Sequence, residues 1–493
     1  MLRSATKVTF GILISFALVV AAGVLWPTSS APLPDHHRDY RISNVHVSDV
    51  QTGTASDVVT VTVKNGVIAA IGNPGGEAAP VIDGRGGYLL PGFWDMHMHS
   101  FQLSPQLHLP LFVANGITGA RDMMDCPGED DSLIACLTEK RRWNAEAEAG
   151  RLASPRFISV ASYYFENPAL TPAETAQRAR AYTRRGVDEL KVYNRLSSPA
   201  YLQVAEEARR AKVRLVGHLP KAIALPDALA AGQRSFEHAH LFPRHCFPNA
   251  AEWRSGKLDA ADRSRVAAMM VVKHDPGLCR DAFAAMKAAG AWFVPTHVTR
   301  EEDARAGDSS FINDSRLRYL DPLSRWAYRD DLASTRSAYP GREGGQALAD
   351  YFDHGLRLTG AAHRSGVPIL VGTDTAIGGF RYHDELALLV RAGLTPAQVL
   401  RAATIDAARY AGLDDRFGSV GIGKQADLVL LSADPLKDIS NTRRIQSVFI
   451  GGRLYDRSRL DLLLAFTERQ ANRPDNWIKL LWGFAWSSVA SDL

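Results

Sequence analysis

The sequence predicts an α/β chain: a (β/α)8 TIM barrel joined to a small β-sandwich domain built from both the N- and C-terminal flanking segments. Three observations predict it. Short apolar runs ending in a polar residue alternate with helical segments eight times between Tyr88 and Gly412. Runs of that kind suit parallel strands buried on both faces. One β-rich stretch precedes the alternation and another follows it. The length of 493 residues accommodates one large domain with an appendage.

Composition narrows the function classes. Hydrophobic residues make up 46% and charged residues 22%, a globular balance. Lys and Arg total 57 against 53 Asp and Glu, with no basic stripe, which excludes nucleic acid as a partner. Residues 1–26 read as a signal peptide or signal anchor. Arg3 and Lys7 precede an uncharged apolar run over residues 8–26. Val20-Ala21-Ala22 suits cleavage, yet the run is long enough to tether the chain to a membrane, and both remain open. Either way the chain is expected outside the cytoplasm, periplasmic or secreted. Export permits disulfides, and Cys126, Cys136, Cys246 and Cys279 are available. Cys126 and Cys136 bracket a polar loop and could close it, which leaves Cys246 with Cys279; spacing alone does not fix the connectivity.

Residues 27–39 read as a linker. Residues 40–87 form the first part of the sandwich: short β-rich runs with a hairpin signal at Lys64-Asn65-Gly66. About 45 residues bury too little surface alone, so this module needs a partner. The barrel occupies 88–412. Its strands are expected at 89–97, 117–123, 156–162, 189–193, 214–218, 234–238, 291–296 and 368–374. Thr171-Pro172-Ala173-Glu174 is a capping box opening a helix that stops at Gly186. Ser198-Pro199 opens the next, and Thr395-Pro396 opens one running through Tyr410. Insertions over 242–276 and 298–345 follow strands six and seven, where barrel loops build substrate walls. Residues 413–456 complete the sandwich. Residues 457–493 form a helical tail carrying Trp477, Trp482 and Trp486, suited to packing on the barrel or to touching a membrane surface.

The strand ends carry the chemistry. His97 and His99 stand two apart on strand one, so their imidazoles can share a face. Lys191 lies on strand four, His218 on five, His238 on six and Asp374 on eight. A lone histidine at a strand end is ordinarily a hydrogen-bonded rim residue, a lone lysine an ion-pairing one, and Gly-Thr-Asp is common. Together they differ, because the C-terminal ends of parallel barrel strands open on one face.

These motifs resemble the amidohydrolase superfamily, near its imidazolonepropionase-like and Xaa-Pro or Xaa-Arg dipeptidase-like branches. The resemblance rests on Pro91-Gly92-Phe93-Trp94-Asp95-Met96-His97-Met98-His99, Leu190-Lys191-Val192, Gly217-His218, Glu237-His238, Gly372-Thr373-Asp374 and the closing Gly421-Ile422-Gly423-Lys424-Gln425-Ala426-Asp427. It implies a metal-dependent hydrolase of an amide, peptide or cyclic amide, with two divalent ions, zinc suiting the ligand set best. His97, His99 and Asp374 would hold one ion and His218 and His238 the other, with Lys191 bridging them as a carbamate. Asp374 would serve as catalytic base and His297 as oxyanion donor, and Tyr193 would line the substrate pocket. A small molecule or dipeptide is the expected substrate. The α-carboxylate of a dipeptide requires a cation, for which Arg195, Arg244, Arg300 and Arg381 stand on suitable loops. Two other readings stay open: a mononuclear deaminase-type hydrolase and a catalytically silent binding protein. Homo-oligomerisation also stays open.

Overall fold

The computed structural model describes residues 15, 18–72 and 79–491. Residues 8–14, 16 and 17 of the apolar run at 8–26 lie outside the described residues. Among the described residues no helix is long and apolar enough to cross a membrane.

Strands from both ends of the chain share one sheet. In chain order they are β1 (Tyr40–Asp49), β2 (Thr54–Lys64), β3 (Val67–Gly72) and β4 (Val81–Pro91). The barrel strands β5 to β11 follow: Phe93–Met98, Ile117–Asp122, Arg156–Val160, Glu189–Val192, Arg214–Gly217, Ser235–Glu237 and Trp292–Val294. Last come β12 (Leu428–Leu431), β13 (Ile445–Ile450) and β14 (Arg453–Asp456). The sheet order is β14-β13-β12-β4-β1-β2-β3. A two-sheet sandwich was expected; the described strands form one seven-stranded sheet instead. The sheet curls, so that Ile68 of β3 exchanges hydrogen bonds with Gly423 and Lys424 just ahead of β12. Curling supplies what a second sheet would: Ile42, Val61, Ile68, Leu89, Leu428 and Phe449 pack together on its inner face.

The chain enters the barrel at Gly92, whose N–H donates to the Asp427 carbonyl at 2.8 Å. One strand was expected over 89–97; Gly92 divides it into β4 in the sheet and β5 in the barrel. The parallel ring runs β5-β6-β7, then through Ala161↔Glu189 to β8-β9, and through Leu215↔Gln233 to β10-β11. No regular strand occupies 368–374. That extended segment nonetheless closes the ring: Phe293 bonds to Pro368 and Leu370, and Met96 N–H donates to Val371. Trp94, Met96, Val294 and Leu370 fill the barrel against Ala407, Tyr410 and Phe417.

The helices obey their caps. Thr171 accepts from Glu174 N–H, and the helix Pro172–Arg185 ends at Gly186 with φ 86°. The single helix expected after Thr395 is two, Pro396–Ala402 and Ile405–Ala411. The break frees the Ala403 carbonyl to accept Trp94 N–H at 2.9 Å, tying the barrel floor to β5. The tail docks on the barrel. Ser132 Oγ donates to Gly483 at 2.7 Å, and Ser487 Oγ reaches Asp131 at 2.8 Å.

Both cysteine pairs are bonded, Cys126–Cys136 across 10 residues and Cys246–Cys279 across 33. Loop-closure entropy makes them worth about 3 and about 4 kcal/mol. Cys279→Ser is therefore expected to lower the denaturation midpoint in proportion, read by urea unfolding. An unchanged midpoint would show that the bridge does not constrain the unfolded chain.

Candidate active site

A bulge aims the first two ligands. Three steps of β5, Asp95 to Met98, pair against two of β6, Ala120 to Asp122. The extra residue resets the alternation, so His97 faces the barrel mouth although Met96 packs in the barrel interior. Asp95 then locks this segment to the closing strand. Its carboxylate accepts from His97 N–H at 3.1 Å, Thr373 N–H at 3.0 Å and Thr373 Oγ at 2.6 Å. Gly372 permits the approach, since a Cβ there would lie 2.9 Å from His97. Gly217 serves His218 likewise: its φ is 112°, and a Cβ would collide with the Val192 carbonyl.

The expected ligands converge. His97 Nε2 and His99 Nε2 lie 3.6 and 3.2 Å from Asp374 Oδ1, and His238 Nδ1 lies 3.8 Å from Oδ2. His97, His99 and Asp374 bring one ligand atom each within 4.8 Å of one another. His218 and His238 face each other, Nε2 to Nε2, at 3.0 Å. Tyr193 lays its ring on His218, centroids 3.9 Å apart. His238, Thr296 and Asp374 have φ of 74°, 46° and 49°, three of the seven non-glycine residues with positive φ among the described residues. Backbone strain of this kind gathers where a side chain must be aimed.

The electrostatics favour ligand forms. Burial drives the His218 and His238 imidazoles well below their ordinary range, and burial with the nearby Lys191 lowers His99. All three are thus neutral, with lone pairs available. Burial also pulls the Lys191 amine down to about 8, against the pull of Asp374 and Glu237. Burial would raise Asp374, but His97 and His99 hold it well below the usual carboxylate range. Among the described residues His97 Nε2 and His218 Nδ1 have no hydrogen-bond partner.

A buried ionic chain stands beneath the ligands. Glu237 accepts from His97 Nδ1 at 3.1 Å, which directs Nε2 of that ring towards Asp374. Arg121 bonds Glu237 at 3.1 Å and Glu189 at 2.7 Å, and Tyr410 OH donates to Glu189 at 2.6 Å. Burial raises the Glu237 carboxyl, but Arg121 and His97 more than offset this and hold it at about 2. Sequence reading missed Asp95, Arg121, Glu189 and Glu237 as positioning residues. The available signal was a charged residue inside an apolar strand run.

One expected residue does not join the site. On β11 Val294 points into the barrel, and Thr296, two residues on, reaches His238 Nδ1 at 2.8 Å. His297 falls on the opposite side. Its Nε2 pairs with Thr359 Oγ at 3.0 Å and its ring abuts Phe352 on the outer helix Gly341–Arg364. The oxyanion role expected of His297 is therefore withdrawn.

The two insertions share one cavity, and the second also lines another at His99 and Asp374. A cavity of about 630 Å³ has Arg244, Trp253 and Met270 from the first, and Arg300, Asp303 and Tyr339 from the second. Of the four arginines, Arg195 is exposed and pairs with Glu166, Arg381 is tied to Glu301, Glu302 and Asp384, and Arg300 pairs with Asp303. Among the described residues no carboxylate pairs with half-buried Arg244. A second cavity of about 340 Å³ is lined in part by His99 and Asp374.

Comparison with known proteins agrees with this geometry. The Amidohydrolase family model matches residues 173–455. An uncharacterized protein of Mycobacterium tuberculosis is 27% identical over 382 residues, 75% of this chain and 86% of that one. Ochratoxinase of Aspergillus niger is 35% identical over 114 residues, 22% of this chain and 23% of its own. Among solved structures, bottromycin amidohydrolase superposes with TM-score 0.67 at 26% identity, covering 90% of this chain and 92% of its own. A Xaa-Pro dipeptidase with bound methionine superposes with TM-score 0.60 at 17% identity, covering 85% and 100%, a likeness of fold.

Proposed function

The chain belongs to the amidohydrolase family and is a hydrolase of carbon–nitrogen bonds; on that premise we propose a binuclear metal centre bridged by a carboxylated Lys191, cleaving an N-acyl amino acid or dipeptide. One observation carries this reading: four neutral or ligand-ready imidazoles, an ionised carboxylate and a buried lysine share the barrel mouth. Their chemistry fits cations. His97 Nε2 and His218 Nδ1 are buried and make no hydrogen bond among the described residues. A buried imidazole without a partner costs stability that a bound cation would restore. His97, His99 and Asp374 would hold one ion, and His218 and His238 the other. Burial favours the free amine of Lys191, the form that adds carbon dioxide. Zinc suits the set best.

Divalent ions bound there would supply the Lewis acidity that makes water a nucleophile near neutral pH and polarises the scissile carbonyl. This chain's residues do the rest. Asp374 accepts the proton of the attacking water and delivers it to the leaving nitrogen. Glu237 and Asp95 keep His97 and the closing strand in register. Arg244, with Arg300 beside it, receives a substrate carboxylate, and Tyr193 flanks the reacting amide. Two disulfides and the apolar run at 8–26 support a place outside the cytoplasm.

Metal removal tests the reading. Dialysis against a chelator is expected to abolish hydrolysis of N-acyl amino acids and dipeptides, and zinc to restore it, with metal content read by mass spectrometry. Activity that survives complete removal would end the proposal.

A further inference from the structure

The 340 Å³ cavity lies against the proposed centre, and most of its lining is apolar. Its walls are Phe101, Leu107, Phe112, Leu320, Leu480 and Phe484. They come from the start of the barrel, the second insertion and the C-terminal helix Pro474–Trp486. Two of the polar side chains at its edge, Asp321 and His108, are engaged within the protein. Asp321 caps the helix Pro322–Ala338 by accepting from Leu323 N–H, Ser324 N–H and Ser324 Oγ. His108 Nδ1 pairs with Ser104 Oγ at 3.0 Å. At its inner end stand Asp374 and His99, whose Nδ1 has no hydrogen-bond partner among the described residues. A cavity that is apolar along its length and reactive at its end fits a substrate with a hydrocarbon tail and a polar reacting head.

We infer that this cavity binds an apolar acyl or alkyl chain, so that the substrate is an amide with a hydrocarbon group on the side facing Leu107, Phe112 and Leu480. The inference rests on the hydrolase reading above and adds the substrate class. The surroundings accord with it. Leu481, Trp482 and Trp486 on the outer side of the same helix are 55%, 43% and 68% exposed. Gly23 sits on Ile478 of that helix, and Leu25 and Trp26 continue the apolar surface. Amphiphiles could reach the cavity as monomers in water or from a bilayer; the chemistry at the cavity is the same.

Two measurements test the inference. Laurate displacing cis-parinaric acid, a fluorescent fatty acid, reports binding without turnover. Hydrolysis of N-acyl amino acids from acetyl to dodecanoyl reports chain-length preference. Each added methylene is expected to raise kcat/KM about threefold to fourfold until the cavity is full. Ala327→Trp fills the cavity from its exposed rim, and Phe484→Asp charges its mouth; neither disturbs the barrel core. Each is expected to weaken laurate binding by about tenfold or more and to flatten the chain-length series. Offering the dodecanoyl substrate as monomers and in phosphatidylcholine vesicles separates the two sources, and preference for either form over the acetyl substrate supports the inference. Chain-length-independent hydrolysis, or laurate binding unchanged in both variants, overturns it. Laurate binding that the variants abolish, in a protein that cleaves no amide, would overturn the hydrolase reading and leave the cavity's assignment standing.

Discussion

Lys191→Ala is expected to remove nearly all activity and to lower the metal content from two ions per chain to at most one. The side chain is almost fully buried on β8. Burial lowers its amine, and Asp374 and Glu237 are the charges that oppose this. As an ammonium ion it would repel the cations that its neighbours are proposed to bind. As the proposed carbamate it would supply two oxygens between the His97/His99 and His218/His238 halves. Losing that bridge should cost at least the roughly 10²–10³-fold typical of removing one charge-stabilising group. Formate, acetate or propionate should restore part of the activity by filling the space left by the side chain. Lys191→Arg should not be rescued, because guanidinium forms no carbamate and leaves no room. Labelled bicarbonate should give a carbamate carbon resonance in the wild type that the variant lacks. One ion per chain together with an indifferent Lys191 would favour a mononuclear, deaminase-type site.

What could be read from sequence follows from how locally each feature is determined. His97, His99, Lys191, His218, His238 and Asp374 each sit at a strand end, and barrel topology brings strand ends to one face. His297 had the same local signature. Its fate depended on the alternation of β11, which sends Thr296 inward, and three residues of strand give little warning of that parity. The seven-stranded sheet was legible as two β-rich stretches, but not its curl, which depends on Ile68 meeting residues 423 and 424. The layer beneath the ligands was harder. Arg121, Glu189 and Glu237 looked like isolated charges in apolar runs, and only the closed barrel joins them into a chain from His97 to Tyr410. The apolar cavity was least legible. Phe101, Leu320 and Phe484 belong to three distant segments, and no local pattern relates them.

Asp374→Asn should separate proton transfer from placement. Asp374 is proposed both to hold a cation with His97 and His99 and to carry the proton from water to the leaving nitrogen. The amide keeps one acceptor oxygen at the same position but cannot take a proton. General acid–base catalysis contributes about 10²–10⁴-fold, so kcat should fall by that order while KM changes little. The leaving group reveals which function was lost. An alkylamine must be protonated to depart, whereas a p-nitrophenolate need not be. The variant should therefore lose much more activity on an N-acyl amino acid than on the matching p-nitrophenyl ester. Metal analysis of the same sample keeps the comparison fair, since a variant that had shed an ion would lose both activities together. Equal losses on amide and ester, with metal retained, would show that Asp374 only positions its neighbours. Proton delivery would then have to come from another group at the mouth, and Tyr193, stacked on His218, would be the next to replace.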